Sequence, residues 1–236
     1  MPLTSIEPRR LYRQIAEQIR GLITSGEYAV GARLPPERDL AKQLRVSRPS
    51  VREALIALEV EGLVEVRVGS GIYIHAPPAA GLGASHAVNG SHSAGPFELI
   101  RARKAIEGEC AALAAREGKR PQLIQIGEAL KQMENDAHKM AQPLEADRLF
   151  HLRIAEATNN GTLVYVVKSL WEERGGPLFS QLQHHFDTPQ SWSAAIREHA
   201  AVLEAIRSHD PDQARAAMRH HMEQAAKRFS KSWDGR

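Results

Sequence analysis

The chain has 236 residues, of which 42% are hydrophobic, 25% are charged and 5% are aromatic. This composition is typical of a folded globular protein, and the single cysteine excludes a fold held together by internal disulfides. No stretch approaches the roughly 20 apolar residues that a membrane-spanning helix needs, and the first residues, MPLTSIEPRR, lack the apolar segment of a secretory signal. We therefore expect a cytoplasmic protein with no membrane partner.

The charge is distributed unevenly, although the formal net charge is only +3. Residues 33–52, RLPPERDLAKQLRVSRPSVR, contain six basic residues and two acidic ones. A local basic patch on a nearly neutral protein indicates a polyanionic partner such as nucleic acid.

The first 75 residues predict three helices followed by a β-hairpin. Apolar residues recur at helical spacing over 11–23, a second short helix is expected after Pro35-Pro36, and Ser47 can cap a third. Two short strands and the glycine-rich turn between them follow at 63–67, 68–71 and 72–74. These elements together predict a winged helix-turn-helix, in which the third helix would enter the major groove of DNA.

The third helix begins with residues that suit DNA. Arg48 and Arg52 are one turn apart, on the face that we place opposite the apolar stripe of Val51 and Leu55, and a guanidinium group can bond guanine O6 and N7 together. Serine hydroxyls and the free N–H groups of a first helical turn suit phosphate oxygens. The predicted DNA contacts are Arg38, Ser47, Arg48, Ser50, Arg52 and, at the hairpin tip, Gly69. The competing interpretation is a solvated helix face with ordinary capping serines.

Residues 76–96 contain no Lys, Arg, Asp or Glu and are mostly Ala, Gly, Ser and Pro, so they predict a flexible linker. This linker would divide the chain into a DNA-binding domain, 1–75, and a second domain, 97–236. Helical periodicity runs through the second domain, and its breaks predict six helices, near 97–117, 121–140, 143–158, 162–185, 190–208 and 211–232. The expected fold class is therefore mainly α, a winged helix-turn-helix joined to an all-α antiparallel bundle.

Four side chains of the second domain have the chemistry of a metal site. Asp147 and His151 share one helix face at i, i+4, while His199 and His221 lie on two other predicted helices. One carboxylate and three imidazoles suit a divalent transition metal such as Zn²⁺, Ni²⁺ or Mn²⁺ and leave positions open for water or a ligand. The spacing alone is not specific, because eleven histidines make chance Asp–His pairs common. The competing interpretation is that these histidines are satisfied or solvent-facing.

The first domain resembles the N-terminal domain of the GntR superfamily of bacterial transcription regulators. The matching stretches include LPPERDLA, VSRPSVREAL and GSGIYI, and the resemblance implies DNA contacts by the six residues named above. The second domain resembles the FCD ligand-sensing domain of the FadR subfamily, whose metal-binding pattern implies a site made of Asp147, His151, His199 and His221. In that pattern the final histidine is His221 and not the adjacent His220. The remaining histidines considered match nothing and are expected at the surface: His138, His184, His185 and His209.

Arg103 and Glu107 match the R-x-x-x-E helix of the same subfamily, in which the arginine faces the ligand cavity. The resemblance implies that both belong to an effector site, where a carboxylate would bridge the metal and Arg103. The alternative is an ordinary i, i+4 ion pair on the surface. The stretch FHLRIAEATNNGTLVYVVKSLWEERGGPLFSQLQHH is also similar to uronate-responsive repressors, which points to a sugar acid, with lactate, pyruvate-like acids and dicarboxylates as alternatives.

The predicted function is that of a homodimeric transcription repressor. The dimer would bind an inverted-repeat operator in double-stranded DNA and release it when a small carboxylate effector binds at the metal site. One alternative is a metal-dependent hydrolase or lyase that uses the Asp-His-His-His site, but no carboxylate at a convincing spacing offers a general base, although Glu145 and Glu156 are nearby in sequence. A second alternative is a constitutive DNA-binding protein with a structural metal. We predict that the chain is not an enzyme.

Overall fold

The computed structural model describes residues 10–76 and 94–230. The chain separates into two compact units, with the boundary between Gly95 and Pro96. Most of the predicted linker lies outside the described residues, so its flexibility stays a prediction. Within the described ranges, no helix is long and apolar enough to cross a membrane.

The first unit contains the three helices and the hairpin expected from the sequence, which are α1 Leu11–Thr24, α2 Glu37–Leu44, α3 Arg48–Val60, β1 Val64–Arg67 and β2 Gly71–Ile74. The two strands are antiparallel, with Val64 opposite Ile74 and Arg67 opposite Gly71. Helix α3 is the centre of the unit, because it packs against both α1 and α2. The predicted winged helix-turn-helix is confirmed.

Two sets of polar contacts attach α1 and the wing, which consists of β1 and β2, to the C-terminal end of α3. The Glu59 carboxylate accepts a hydrogen bond from the Val66 backbone N–H at 2.8 Å, which fixes the start of the hairpin. Arg20 of α1 donates three hydrogen bonds to Glu61, at 3.0, 2.7 and 2.7 Å. Together with the buried apolar face of α3, these contacts hold the recognition helix and the wing in one body.

A backbone segment that the sequence did not predict as a strand extends the wing. The Leu34 N–H donates to the Ile72 carbonyl at 2.8 Å, and the Ile74 N–H donates to the Ala32 carbonyl at 2.9 Å. The segment before α2 therefore pairs with the outer edge of β2. This pairing satisfies backbone groups that an edge strand would otherwise expose.

The second unit is all-helical in its described residues, with α4 Pro96–Glu117, α5 Arg120–His138, α6 Leu144–Ala157, α7 Gly161–Arg174, α8 Pro177–Phe186, α9 Pro189–Arg207 and α10 Pro211–Phe229. The prediction of a single helix over 162–185 is wrong. Gly175 and Gly176 end α7, and Pro177 starts α8 at the first helical position, where its missing N–H costs nothing. The other predicted breaks are confirmed, and Asn160, Thr188 and Asp210 each cap the helix that follows them.

Helix α4 is the element around which the bundle assembles. It packs against α6, α7, α9 and α10. A buried series of small side chains lets the neighbouring helices approach closely, and it comprises Cys110, Ala111, Ala112, Ala114 and Ala115. Because α6, α9 and α10 all contact α4 or one another, the residues on their inward faces are brought to one place.

The first prediction concerns the start of β2. Gly71 has φ +115°, and a Cβ added there would lie 2.3 Å from Arg33 Nε. Gly71→Ala should lower the free energy of unfolding by about 1–3 kcal/mol, because alanine is strained at this φ and displaces the Arg33 side chain. Urea denaturation of the full chain, followed by circular dichroism, measures the change.

Gly21 provides the matched control. It lies inside α1 with open space around the position of a Cβ, so Gly21→Ala should stabilise the protein by roughly 0.5–1 kcal/mol. Equal effects of the two substitutions would contradict the assignment of strain to Gly71.

Candidate metal centre and nucleic-acid interface

The N-terminal end of α3 is exposed and capped by serine. Ser47 is the N-cap, and its Oγ accepts a hydrogen bond from the Ser50 N–H at 3.3 Å. The two serine hydroxyls lie 2.8 Å apart. Ser47, Arg48 and the hairpin glycine Gly69 are exposed, as is Arg38, whose side chain is 69% exposed. This end of the unit therefore offers hydroxyl, guanidinium and backbone N–H groups to solvent.

Arg52 differs from the other predicted DNA contacts, because its side chain is only 1% exposed. Its Nε donates to Glu37 Oε2 at 2.9 Å, and Glu37 of α2 is itself buried. The expectation that Arg52 lies on a solvent-facing side of α3 is wrong: the side chain neutralises a buried carboxylate. Arg48 reaches the other oxygen of Glu37 at 3.1 Å but stays 46% exposed. A base contact by Arg52 would require its release from Glu37.

The four predicted metal ligands meet at one buried point in the second unit. Asp147, His151, His199 and His221 can each offer one atom such that all four atoms lie within 4.8 Å of one another. His151 Nε2 is 3.1 Å from His199 Nε2, and Asp147 Oδ1 is 3.1 Å from His199 Nε2 and 3.6 Å from His151 Nε2. Helices α6, α9 and α10 thus bring the four predicted ligands together.

The other nitrogen of each imidazole is held by a partner. His199 Nδ1 is 2.7 Å from the Ala195 carbonyl oxygen, and His221 Nδ1 is 2.8 Å from Glu198 Oε2. His151 Nδ1 lies against Glu107 Oε2. Such partners fix the tautomer and orientation of metal-binding histidines. With each Nδ1 so engaged, all three Nε2 atoms are available at the centre.

Burial and neighbouring charges set the protonation of the cluster. Burial, with the nearby histidines, holds the pKa of His221 well below its usual value, and burial also lowers the pKa of His199. Burial opposes ionisation of Asp147, but the Arg174 guanidinium and the histidine hydrogen bonds outweigh it and hold the pKa of Asp147 well below its usual value. Burial also opposes protonation of His151, but the Glu107 charge and the contacts with Asp147 and Glu107 together outweigh it and raise the pKa of His151. The lowered pKa values favour an ionised Asp147 and neutral His199 and His221, which are the protonation states that metal binding requires.

The donor set fits a divalent transition metal. Ligands at about 2.0–2.1 Å from such an ion lie roughly 3–3.4 Å from one another, and the three distances between Asp147, His151 and His199 range from 3.1 to 3.6 Å. An anionic carboxylate and imidazole nitrogens match its chemistry. The ion would supply an electrophilic centre with positions left for an oxygen ligand.

A cavity in the second unit opens beside these ligands. Its lining includes Asp147, His221 and three arginines, Arg103, Arg174 and Arg228. Apolar and aromatic side chains cover the rest of the wall, among them Ile100, Phe179, Phe186, Trp192, Met222 and Phe229. The arrangement can bind a small anion that also reaches the metal position.

Arg103 and Glu107 form the predicted i, i+4 pair, but it is buried and not on the surface. Arg103 Nε donates to Glu107 Oε1 at 2.6 Å, and both side chains are at most 5% exposed. The Arg103 guanidinium also lies 4.1 Å above the Trp171 ring. Because Glu107 also contacts His151, this pair joins the cavity wall to a metal ligand.

Several residues of the site were not predicted from the sequence. Arg174 pairs with Asp147 Oδ2 at 3.0 Å, and Arg228 donates to Glu198 at 2.6 Å. Asp187 and Trp192 line the cavity from the segment between α8 and α9 and from the first turn of α9. The position of Glu198 next to His199 in the sequence was a visible signal for Glu198. No local pattern marks the others, which lie on three different helices and on one connecting segment. The histidines expected at the surface are exposed or half-buried.

The chain has clear similarity to known proteins. Residues 11–74 match the gntR family of bacterial regulatory proteins, and residues 98–224 match the FCD domain. The "Uxu operon transcriptional regulator" of Escherichia coli (strain K12) is 38% identical over 94% of this chain and 87% of its own length. The "Exu regulon transcriptional regulator" of the same organism is 37% identical over 92% and 83%. The solved structure of E. coli McbR/YncC, at 23% identity, covers 93% of this chain and 97% of that chain with a TM-score of 0.50 and shares the fold.

The second prediction concerns the ion pairs that Arg48 and Arg52 form with Glu37. Arg52→Ala should lower the free energy of unfolding by about 3 kcal/mol, since it removes a buried partner from a buried carboxylate. Arg48→Ala should cost less than about 1 kcal/mol, because Arg48 is half exposed and its ion pair is screened by solvent. Urea denaturation of both variants measures the difference. A small cost for Arg52→Ala would contradict the structural role of this arginine.

Proposed function

The chain belongs to the GntR family of bacterial regulatory proteins and carries an FCD domain, and from that premise we propose how it regulates transcription. It is a ligand-responsive transcription regulator and not an enzyme. In our proposal it is a repressor that binds an inverted-repeat operator as a homodimer. A small carboxylate effector, bound at a metal centre in the FCD domain, releases the DNA.

The exposed end of α3 supports the DNA-binding part of the proposal. Arg48 projects a guanidinium group that can recognise guanine, while Ser47, Ser50 and the free N–H groups of α3 suit phosphates. Arg38 and the wing glycine Gly69 would extend this contact to the flanking backbone and groove. Two copies related by a two-fold axis would read two half-sites of opposite direction, which is why an inverted repeat is expected.

One observation carries the sensing part, namely the cavity that joins the four-ligand cluster to three arginines. A carboxylate placed there would meet positive charge on both sides, from the metal and from the arginines. The two relatives regulate an Uxu operon and an Exu regulon, and the sequence resembles uronate-responsive repressors. Both points support a sugar acid as the effector.

Release of DNA follows from a difference in effector affinity between two states of the dimer. If the acid binds more tightly to the conformation that misplaces the recognition helices, it shifts the population toward that conformation. The reciprocal effect must hold as well, so that operator DNA weakens effector binding by the same factor. A constitutive DNA-binding protein with a structural metal would show neither effect.

The third prediction tests DNA recognition and release. Selection from a random duplex pool with full-length protein should yield an inverted repeat, and fluorescence anisotropy should show release when D-glucuronate or D-galacturonate is added in the presence of Zn²⁺. Arg48→Ala should weaken operator binding by about 1–3 kcal/mol, or roughly 5- to 150-fold, because a base contact is lost.

Arg116→Ala is the control for charge, since Arg116 is an exposed arginine of the FCD domain. It should leave operator affinity unchanged. Selection that returns no palindromic preference would refute the operator model, and operator affinity that no acid alters would refute the sensing model.

The fourth prediction tests the metal centre with adjacent histidines. His221 is buried in the cluster, whereas His220 is exposed. Zn²⁺ at 100 times its dissociation constant should stabilise the wild-type chain by about 2.7 kcal/mol, seen as a higher Tm that a chelator reverses. His220→Ala should keep this response and His221→Ala should lose it. The same Zn²⁺-induced shift in both variants would show that the metal binds elsewhere.

A further inference from the structure

The three cavity arginines are not equally available to a ligand. Arg103 is paired with Glu107, and Arg228 binds both oxygens of Glu198, at 2.6 and 3.0 Å. Arg174 shares Asp147 with the metal position, and its buried Nε has no hydrogen-bond acceptor in the described part of the chain. Because an unpaired buried donor is costly, this position favours a ligand that brings an acceptor oxygen.

A second unpaired donor lies farther along the wall. Trp192 is 8% exposed, and within the described ranges its indole Nε1 has no acceptor. Trp192 lines the same cavity as Arg174. An apolar acid would leave this donor unsatisfied, whereas a hydroxyl oxygen of a ligand would accept from it.

Asp187 supplies an acceptor in the same cavity. It lines the cavity, and the hydrogen bond from Gln183 at 3.1 Å uses Oδ2 and not Oδ1. Ser191 also lines the cavity, but its hydroxyl is committed to the cap of α9, where it donates to the Thr188 carbonyl at 2.8 Å. Asp187 is therefore the cavity group suited to accept hydrogen bonds from ligand hydroxyls. Burial raises the pKa of Asp187 to about 6, so it is mostly ionised at pH 7.5.

The charge of the site limits the charge of its ligand. Three arginines line the cavity, and the carboxylates on or against them are Glu107, Asp147, Asp187 and Glu198. With the histidines neutral, as metal binding requires, the group has one negative charge more than positive. A divalent cation at the centre would change this to a net charge of plus one, which a single carboxylate neutralises. A second carboxylate would be unpaired in a buried site, which is unfavourable.

We propose that Trp192 and Asp187 determine the specificity of this cavity by binding hydroxyls of an acid whose single carboxylate Arg174 and the metal position receive. The proposal rests on the proposed function and adds the specificity of its effector site. Phe179 and Phe186 provide an apolar wall for the C–H face of such a ligand. Specificity then depends on residues outside the metal ligands.

Three acids of equal carbon number separate the effects of hydroxyls and of a second carboxylate on binding affinity. D-Glucuronate has one carboxylate and several hydroxyls, D-glucarate carries a second carboxylate on the same carbon chain, and hexanoate has one carboxylate and no hydroxyl. D-Galacturonate and galactarate repeat the comparison with another stereochemistry. Isothermal titration of the Zn²⁺-loaded full chain at pH 7.5 should show at least one uronate binding 10-fold or more tightly than its diacid and than hexanoate.

Two conservative variants test the named residues. Trp192→Phe removes the indole N–H and part of the ring but keeps an aromatic wall, so it should lower the uronate-to-hexanoate affinity ratio about 5- to 20-fold. Tyr165→Phe is the control, because it removes a polar group from an aromatic side chain that is 70% exposed and does not line the cavity. It should leave the uronate-to-hexanoate ratio unchanged. Asp187→Asn should weaken uronate binding and lower the preference for a uronate over its diacid.

The outcomes distinguish this inference from the proposed function. If hexanoate or the diacids bind as tightly as both uronates and release operator DNA, the chain remains an acid-responsive regulator but the proposed specificity is refuted. A uronate-to-hexanoate affinity ratio lowered as much by Tyr165→Phe as by Trp192→Phe would refute the role of Trp192. If no acid of the panel binds the Zn²⁺-loaded chain, both the inference and the sensing model fail.

Discussion

The candidate sensor depends on the fixed orientation of three buried imidazoles. Each Nδ1 atom faces a different partner: a carboxylate on α4, a backbone carbonyl on α9 and a carboxylate on α9. Without these partners the rings would have no preferred tautomer, and their Nε2 atoms would not converge with Asp147. The packing of the bundle around α4 therefore brings Asp147 and the three histidines together as a candidate binding centre.

Both units use buried carboxylates to position cationic groups. In the first unit, Glu37 contacts Arg48 and Arg52, so that one arginine stabilises the fold and the other remains exposed at the end of α3. In the second unit, Glu107 joins Arg103 to His151, and Glu198 joins Arg228 to His221. These links connect the cavity arginines to two of the candidate metal ligands, His151 and His221.

Much of the fold followed from local sequence signals. Prolines, capping residues and helical periodicity located nearly every helix, and the spacing of Asp147, His151, His199 and His221 located the cluster once the family resemblance was recognised. The burial of Arg52 could not be inferred from its position, since it depends on Glu37 of a different helix. Arg174, Asp187 and Trp192 were missed for a similar reason: no local pattern reveals which distant elements meet at a cavity.

The break between α7 and α8 determines which side chains reach the cavity. In an uninterrupted helix with a rise of 1.5 Å per residue, Phe186 would lie about 18 Å from Arg174, yet both residues line one cavity. The glycine pair separates α7 from α8, and α8 contributes Phe179 and Phe186 to the wall of the cavity. A longer or shorter α8 would change the size of this cavity while leaving the three histidines in place. Related proteins could in this way bind effectors of a different size.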